Sequence, residues 1–147
     1  MDKISPYITY EEATYTNSGI ENKPNLEQVR AMKLVSRMCF DPVREYYQKP
    51  IRVNSFFRSE AVNKAIGGSQ TSQHSKGEAI DMSGLNGLKN STIFKYIREY
   101  LTFDQLIWEY GDDKEPAWVH VSYSAKQNRN QVLRAIKENG KTKYIAL

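Results

Sequence analysis

The stretch SQHSKGEAIDMSG, residues 72–84, decides the fold because it joins a polar loop to a short apolar strand that carries Asp81. In a strand, alternate side chains point to opposite faces, so Asp81 shares its face with the small residues Ala79 and Ser83, which leave room for a bound group. A carboxylate that is withdrawn from water is destabilising unless a partner compensates its charge. The stretch therefore predicts a compensating partner beside Asp81.

His74, a candidate partner of Asp81, lies seven residues before it in the sequence. Two helical turns would separate the two side chains by about 10.5 Å along the axis, and a straight strand would separate them by about 23 Å. Neither distance lets both residues bind one metal ion at about 2 Å. The chain must therefore reverse between them, and Ser75–Gly77 has the composition of such a turn.

The other histidine of the chain, His120, lies in the stretch WVHVSY, residues 118–123. Alternation on that predicted strand places His120 on one face with Trp118 and Ser122. Two imidazoles and one carboxylate form the ligand set of a catalytic zinc site, whose fourth position stays open to water. Such an ion would compensate Asp81 and lower the pKa of a bound water to about 7. Spacing alone leaves open an alternative in which the histidines are hydrogen-bonded structural residues and Asp81 caps a turn.

The remaining pattern predicts an α+β fold in which helices pack on a small, mainly antiparallel sheet. Residues 25–47 carry an apolar stripe and predict a helix that Pro42 interrupts, with a capping box at Asn25 and Gln28. A helix ending at Asn139 is the rival interpretation of the last segment, and residues 1–24 are expected to be irregular. The other predicted elements are a strand at 51–54, a helix at 59–66 ended by Gly67 and Gly68, a helix at 90–101 capped by Asn90 or Ser91, strands at 103–111 and 117–124, and a hairpin at about 131–147 around Asn139-Gly140.

Length and composition indicate one globular domain over residues 1–147. The net charge of +4 is mild and the basic residues are dispersed, so we expect no nucleic-acid partner. The single cysteine, Cys39, excludes an internal disulfide and is expected to be a buried apolar residue. No apolar stretch is long enough for a secretory signal or a membrane span. We expect a monomer that is made in the cytoplasm and is released from it by another route.

The stretches SQHSKGEAIDM and WVHVSY resemble the S-x-H-x-x-G-x-A-x-D and [WV]-H motifs of zinc peptidases of the D-alanyl-D-alanine carboxypeptidase type. The resemblance covers about residues 24–124, because PNLEQVRAMKLVSRMCFDPVREYY, KPIRVNSFFRS, NKAIGGSQTSQH and FDQLIWEYG also occur in the order of that family. It implies the Hedgehog/DD-peptidase fold and one zinc ion bound by His74, Asp81 and His120.

The resemblance also implies a general base. Glu109, in IWEYG, matches the acidic residue that takes a proton from the attacking water and passes it to the leaving amine. Alternation puts Glu109 on one strand face with Gln105 and Ile107, an unexpected place for a carboxylate unless it lines a cleft. Glu115 and Asp113, in the loop before His120, are rival candidates for the base.

Two further residues are implied to act on the substrate. Arg58 matches the arginine of the S-G-[FY]-R-S motif, which faces a substrate carbonyl or carboxylate and suits oxyanion stabilisation. Ser72 is implied as a hydrogen-bond donor to the substrate or to the groups behind the ligands. The family has glycine where this chain has Phe56, and a positive φ there would strain or shift the Arg58 loop.

The leading hypothesis is a zinc peptidase that hydrolyses peptidoglycan stem peptides, either as a D-Ala-D-Ala carboxypeptidase or as an L-Ala-D-Glu endopeptidase. The alternatives are a non-catalytic zinc-containing module that binds cell wall or protein, and a metal-free structural domain. By analogy with the family, we expect the protein to act on the cell wall after release, as an endolysin-like lysis enzyme of a phage or prophage does.

Overall fold

The computed structural model describes residues 2–147 and has the predicted α+β architecture. Among the helices of this range, none combines the length and the apolar composition that crossing a bilayer requires. A π-helical segment at Ser36–Phe40 and a 3-10 helix at Gln73–Lys76 complete the helical structure. The elements are β1 (Lys3–Ser5), β2 (Ile8–Thr9), α1 (Tyr10–Ala13), α2 (Leu26–Val35), α3 (Asp41–Tyr47), β3 (Ile51–Ser55), α4 (Glu60–Ala65), β4 (Ala79–Gly84), α5 (Asn90–Tyr100), β5 (Gln105–Glu109), β6 (Trp118–Ser122), β7 (Gln131–Glu138) and β8 (Lys141–Ala146).

Six of the strands form one sheet in the order β3-β4-β6-β5-β7-β8, and β1 pairs with β2 in a separate ribbon. Neighbouring strands of the large sheet are antiparallel except β5 and β7, which are parallel. The sheet is therefore mainly antiparallel, as predicted. A parallel pair needs a long connection, and here residues 110–130 supply it by forming β6 on the other side of β5.

The two faces of the large sheet have different surroundings. One face contributes apolar side chains of the central strands to the core, namely Ile80, Met82, Leu106, Trp108, Val119 and Val121. Helices α2 and α5 supply their partners in the core, Val29, Met32, Val35, Ile93, Phe94 and Ile97. Because side chains alternate along a strand, Asp81, Glu109 and His120 lie on the opposite face. The helices therefore stabilise the sheet from one side and leave the other side free for chemistry.

The helical segment over residues 25–47 begins and continues as predicted. Asn25 and Gln28 form a capping box, in which each side chain accepts a hydrogen bond from the other residue's backbone N–H at 2.8 Å. The π-helical segment joins α2 to α3, and Pro42 lies in the first turn of α3. Proline has no amide proton to donate to the preceding turn, which explains why regular α-helix is interrupted just before it.

The prediction that residues 1–24 are irregular is wrong in part, because this segment contains β1, β2 and α1. Thr9 caps α1 through a capping box with Glu12. The apolar side chains Ile4, Ile8 and Ala13 are buried in the main core. Three such short elements have too few residues for a periodic pattern, so tertiary burial rather than local preference stabilises them.

The predicted cap of α5 is also wrong, since Lys89 holds the capping position without a side-chain hydrogen bond. The Asn90 side chain instead accepts from the backbone N–H of Gly84 at 2.8 Å and donates to the carbonyl oxygens of Pro116 and Ala117 at 3.2 Å. Asn90 thus ties the end of β4 to the residues that precede β6. The two strands that carry Asp81 and His120 are stabilised at this end by one amide group.

The last segment is a hairpin rather than a helix. Asn139 and Gly140 both have positive φ, 53° and 77°, as the type I′ turn favoured by this dipeptide requires. β7 pairs with β5 over five residues, from Gln105 opposite Gln131 to Glu109 opposite Ala135. The hairpin is therefore an extension of the sheet beyond β5.

Asp104 connects three parts of the chain just before β5. Its carboxylate accepts from Nε and Nη2 of Arg129, both at 2.8 Å, and from the Gln73 side-chain amide at 2.7 Å. The Arg129 guanidinium, aided by the Gln73 amide, outweighs the effect of burial and lowers the pKa of Asp104 to about 2. The bidentate geometry makes this a strong, charge-assisted contact. It joins the approach to the hairpin to the 3-10 helix that carries His74.

We expect Asp104→Asn to lower the free energy of unfolding at pH 7 by about 2 kcal/mol, because the folded state favours the ionised form of this carboxyl. A carboxyl whose pKa falls on folding stabilises the protein above its ordinary value of 3.8, and this contribution is lost as pH falls through about 2. Urea unfolding followed by circular dichroism across this pH range measures the effect.

Asp113→Asn is the matched control, because the Asp113 side chain is 90% exposed although it contacts Arg134. Exposed ion pairs contribute little, so this variant should unfold like the wild type. Equal losses in the two variants would contradict the role assigned to Asp104.

Candidate active site

The chain reverses between His74 and Asp81 within one short turn of 3-10 helix. The Ser72 hydroxyl caps this turn by accepting from the backbone N–H of His74 at 3.2 Å. Gly77 ends the turn with φ of 76°, and a Cβ at this position would lie 2.5 Å from the carbonyl oxygen of Gln28 in α2. Both the backbone conformation and the close approach therefore require glycine. The reversal that the spacing demands is produced by these two residues.

Three separate elements bring the predicted ligands together. β4 and β6 pair with Asp81 directly opposite His120. The Nε2 atom of His74 lies 3.3 Å from Oδ2 of Asp81, and Nδ1 of His120 lies 3.0 Å from Oδ1. One nitrogen or oxygen atom from each residue lies within 4.8 Å of those of the other two. This is the convergence that a shared metal ion needs.

The hydrogen bond of His74 determines which of its nitrogens is free. Its Nδ1 lies 2.7 Å from the carbonyl oxygen of Phe56. A carbonyl oxygen can only accept, so Nδ1 carries the proton and, in the neutral ring, Nε2 presents a lone pair towards Asp81. A lone pair and a carboxylate at 3.3 Å repel each other, so the pair needs either a proton on Nε2 or a metal ion between the two atoms.

His120 has one ring nitrogen that lacks a hydrogen-bond partner among the described residues. Its Nε2 is buried and has no hydrogen-bond partner within residues 2–147. The polar interactions of the ring therefore depend on Nδ1, which faces Asp81. Two imidazole nitrogens and a carboxylate oxygen form a donor set that suits zinc. The residues present thus fit the metal ion that the sequence implies, with the Phe56 carbonyl orienting His74 from behind.

The electrostatics of Asp81 also fit a cation site. Burial alone would raise the pKa of this carboxyl, but the imidazoles of His74 and His120 outweigh burial and hold the pKa well below its usual range. Asp81 is therefore an ionised group at neutral pH, although little of its side chain is exposed. Its negative charge is available to the centre of the cluster.

The cluster opens into a cleft of about 530 Å³. The floor is the free face of the sheet, with Ile107, Glu109 and Trp118 beside the three ligands. One wall comes from residues 58–73, which connect β3 to the His74 turn. The facing wall comes from the C-terminal hairpin, on the far side of β5. A cleft with two walls and an open end can accommodate a short peptide.

Glu109 lies on the cleft floor next to the metal cluster. It pairs with Trp118 on β6, two positions from His120, so the two side chains are diagonal neighbours within reach of each other. Glu109 is only 8% exposed. Burial raises the pKa of its carboxyl to about 7; the nearby charge of Asp81 also raises the pKa, whereas His120 and Arg58 lower it. A carboxyl with this pKa can exchange a proton near neutral pH.

Arg58 and Ser72 stand on the wall that faces the hairpin. Nη2 of Arg58 donates to the Ser72 hydroxyl at 3.5 Å, and the backbone N–H of Arg58 donates to the carbonyl oxygen of His74 at 3.2 Å. Burial lowers the pKa of Arg58, while Asp81 and Glu109 raise it. Nε of Arg58 is buried without a hydrogen-bond partner among the described residues. This guanidinium therefore has donor capacity left for a ligand in the cleft.

The rival bases do not line the cleft. The Glu115 carboxylate accepts from the backbone N–H of Ser91 at 3.2 Å, at the start of α5. Asp113 contacts Arg134 on the protein surface. Of the three acidic candidates, only Glu109 is near the ligand cluster.

The Arg58 loop shows none of the backbone strain considered for Phe56. Positive φ at non-glycine residues of the described chain is confined to Gln48, Asn86, Tyr110, Asn130 and Asn139. The Phe56 ring is fully buried in the core, and its carbonyl oxygen accepts the hydrogen bond from His74. A phenylalanine here therefore anchors the loop by packing.

Cys39 is buried, as predicted. Burial raises the pKa of its thiol to about 12, so the group is protonated at neutral pH. It contacts the carbonyl oxygen of Thr102 at 3.5 Å and does not line the cleft. A catalytic thiolate is therefore not available at this position.

Sequence reasoning missed two parts of the site. The Phe56 carbonyl could not be identified as the partner of His74, because a backbone acceptor leaves no mark in the residue pattern. The hairpin wall, with Leu133, Thr142 and Tyr144, was also missed. The turn of that hairpin is visible in the sequence, but nothing indicates that β7 joins β5.

We expect zinc to raise the free energy of unfolding of the wild-type protein, by about 2.7 kcal/mol when free zinc is 100-fold above its dissociation constant. Asp81→Asn should abolish this increase because it removes the ligand that carries negative charge. Urea unfolding with and without zinc, together with elemental analysis of the dialysed protein, measures the effect. Asp113→Asn should respond to zinc like the wild type, and an undiminished response of Asp81→Asn would rule out this metal site.

Glu109→Gln should stabilise the metal-free protein at pH 8 by about 2 kcal/mol, because burial penalises the charged carboxylate. The sign follows from the raised pKa: wild-type stability falls as pH rises from the ordinary value of 4.5 through about 7, whereas the amide has no charge to bury. The difference should be small at pH 4.5. Urea unfolding in the presence of a chelator tests this, and equal stabilities at both pH values would refute it.

Comparison with known proteins supports the same assignment. No curated protein gives a significant match to this chain. The family model described as Peptidase M15 matches residues 6–122, which include every predicted ligand and more than half of the chain. Members of that family are zinc peptidases of the D-Ala-D-Ala carboxypeptidase type. The matched range, the fold and the convergence of two histidines and an aspartate agree, and the chain belongs to the peptidase M15 family.

Proposed function

We propose that this protein is a zinc-dependent peptidase that hydrolyses peptidoglycan stem peptides. The observation that carries the proposal is the convergence of His74, Asp81 and His120 at the bottom of a cleft that also contains a buried glutamate, Glu109. Membership of the M15 family supports peptide hydrolysis as the reaction.

His74 through Nε2, Asp81 through its carboxylate and His120 through Nδ1 would hold the zinc ion. A bound zinc ion supplies a Lewis acid that polarises the scissile carbonyl and acidifies a water molecule at the site. The protein orients this chemistry through the Phe56 carbonyl, which keeps the His74 ring in one tautomer.

Glu109 is the proposed general base and acid. Its carboxylate would accept a proton from the attacking water and deliver that proton to the leaving amine. Burial raises the pKa of this carboxyl in the metal-free protein, and the charge of a bound zinc ion would favour the ionised form that accepts the proton.

Arg58 is the proposed electrostatic partner of the substrate. A guanidinium can bind a peptide carboxylate bidentately or stabilise the oxyanion that develops at the scissile carbonyl. The Ser72 hydroxyl acts as a positioning group, because it contacts the Arg58 side chain and caps the turn that carries His74.

The stem peptide of peptidoglycan is the proposed substrate class. It is a short chain with free or amide-linked carboxyl groups, and the cleft offers a comparable volume and one partly unsatisfied cation. The cleaved bond is either D-Ala-D-Ala or L-Ala-D-Glu in this proposal. The site of action is then the cell wall, since the substrate is located there.

The test is to incubate the zinc-loaded protein with muropeptides that carry complete stems and to weigh the products by mass spectrometry. We expect two products whose masses add up to that of the substrate plus one water. Cleavage should stop when a chelator is added and resume when zinc is restored. Glu109→Gln should bind zinc normally but lose about 100- to 10,000-fold in kcat/KM, the range expected for a general acid–base group.

Glu115→Gln is the control, because this rival carboxylate points away from the cleft and should leave kcat/KM within about twofold of the wild type. Zinc-loaded wild-type protein that binds muropeptides without cleaving them would favour a non-catalytic binding module. Activity that persists in Glu109→Gln would remove Glu109 from the mechanism.

A further inference from the structure

The C-terminal hairpin, β7 and β8, supplies a wall of the cleft although it lies beyond the residues that the family model matches. Its cleft-lining residues are Leu133, Thr142 and Tyr144. The family match ends at residue 122, so family membership assigns no role to these side chains. Their function must be inferred from where the sheet places them.

Strand register places Tyr144 in line with the proposed base. Ala135 on β7 is opposite Glu109 on β5, and Tyr144 on β8 is opposite Ala135. The three residues therefore form one row across the free face of the sheet, with adjacent strands about 4.8 Å apart. Ala135 is fully buried and has only a methyl group, so the longer side chains on both sides can extend over it.

The hairpin is fixed relative to the site. The backbone N–H of Tyr110, which follows β5, donates to the carbonyl oxygen of Ala135 at 2.9 Å. The Tyr110 hydroxyl is hydrogen-bonded to the Thr142 hydroxyl at 2.5 Å. The Tyr110 ring also packs on Trp118 of the cleft floor, with centroids 5.4 Å apart. These contacts tie β8 to the cleft on the same side as Tyr144.

Tyr144 is available to a ligand. Its side chain is 55% exposed and lines the cleft. Partial burial raises the pKa of its phenol, and the carboxylates of Glu109 and Asp81 raise it further, which is consistent with the row that the strand register defines. An exposed aromatic ring that faces a polar site offers a flat apolar surface with one polar end.

We propose that Tyr144 is a substrate-binding residue, whose ring forms the apolar wall of the cleft opposite Arg58 and packs against the aliphatic part of the peptide. Leu133 and Ile107 extend the same apolar surface towards the metal cluster. A stem peptide presents alanine methyl groups for such a wall and carboxyl groups for Arg58. This inference rests on the proposed function, because it names how the substrate of that site is held.

Tyr144→Ala should raise KM for a pentapeptide muropeptide about five- to tenfold and leave kcat within about threefold, because ring contact contributes to binding rather than to the chemical step. Tyr144→Phe keeps the ring and should return KM to within about threefold of the wild type. Steady-state kinetics of the zinc-loaded enzymes measures both values. An unchanged KM in Tyr144→Ala, a loss confined to kcat, or a Phe variant as impaired as the Ala variant would overturn the proposal.

Ile145→Ala is the structural control. Ile145 neighbours Tyr144 on β8, so it points to the opposite face, and it pairs with Arg134 rather than with the row that contains Glu109. Its KM should equal that of the wild type. If Ile145→Ala raises KM as much as Tyr144→Ala does, the effect comes from a disturbed hairpin and the proposal fails.

A binding assay separates this proposal from that of catalysis. Zinc-loaded Glu109→Gln is titrated with the same muropeptide in a calorimeter, with and without the added substitution Tyr144→Ala. Weaker binding by about five- to tenfold in the double variant supports the role of Tyr144 even if the wild type hydrolyses nothing. Equal binding refutes that role while hydrolysis by the wild type stands, and no binding by either protein refutes the role of Tyr144 and leaves the peptidase proposal to the hydrolysis assay.

Discussion

The structure of this site depends on the reversal of the chain at Gly77, which places the Nε2 lone pair of His74 against the carboxylate of Asp81. The two groups repel when the ring is neutral and nothing lies between them, and they attract when a proton or a metal ion does. The backbone conformation of the turn does not depend on these charges, because it is fixed by the close approach of Gly77 to the Gln28 carbonyl and by the Ser72 cap. The arrangement calls for positive charge beside Asp81, and a single metal ion would satisfy His74, Asp81 and His120 at once, which explains the three residues better together than separately.

Because the sheet has one apolar and one polar face, the charged cluster lowers the free energy of unfolding only a little. The helices bury the apolar side of the central strands, so the charged residues of the opposite side do not interrupt the main core. The two carboxyls on that side have different surroundings. Asp81 is kept ionised by two imidazoles, whereas burial outweighs the effects of His120 and Arg58 on Glu109, whose pKa rises towards neutrality. One environment suits a ligand and the other suits a proton carrier, although the residues lie on neighbouring parts of the same surface.

Much of the fold could be predicted because its signals are local. The capping box at Asn25, the stop at Gly67 and the turn at Asn139-Gly140 each depend on a few adjacent residues. The ribbon and helix before residue 14 were not predicted, since they depend on burial of Ile4 and Ile8 by distant parts of the chain. The cap of α5 was misplaced for the same reason: Asn90 looks like a cap in sequence but is used to join β4 to the β6 approach. Ligand residue types were visible, but the partners that orient them were not.

The hairpin shows how a site can gain a wall without a change in its chemical centre. β7 is parallel to β5, and this pairing alone determines that alternate residues of the hairpin face the same side as Glu109. Had β7 shifted by one residue, Lys143 and Ile145 would face the cleft in place of Thr142 and Tyr144. Two contacts hold the register. The backbone N–H of Tyr110 donates to the carbonyl oxygen of Ala135, and Arg129, just before β7, donates to Asp104, just before β5. The same carboxylate also holds Gln73, next to His74. A single polar junction therefore aligns the metal-binding turn with the opposite wall, so the spacing across the cleft is a property of the fold rather than of flexible loops.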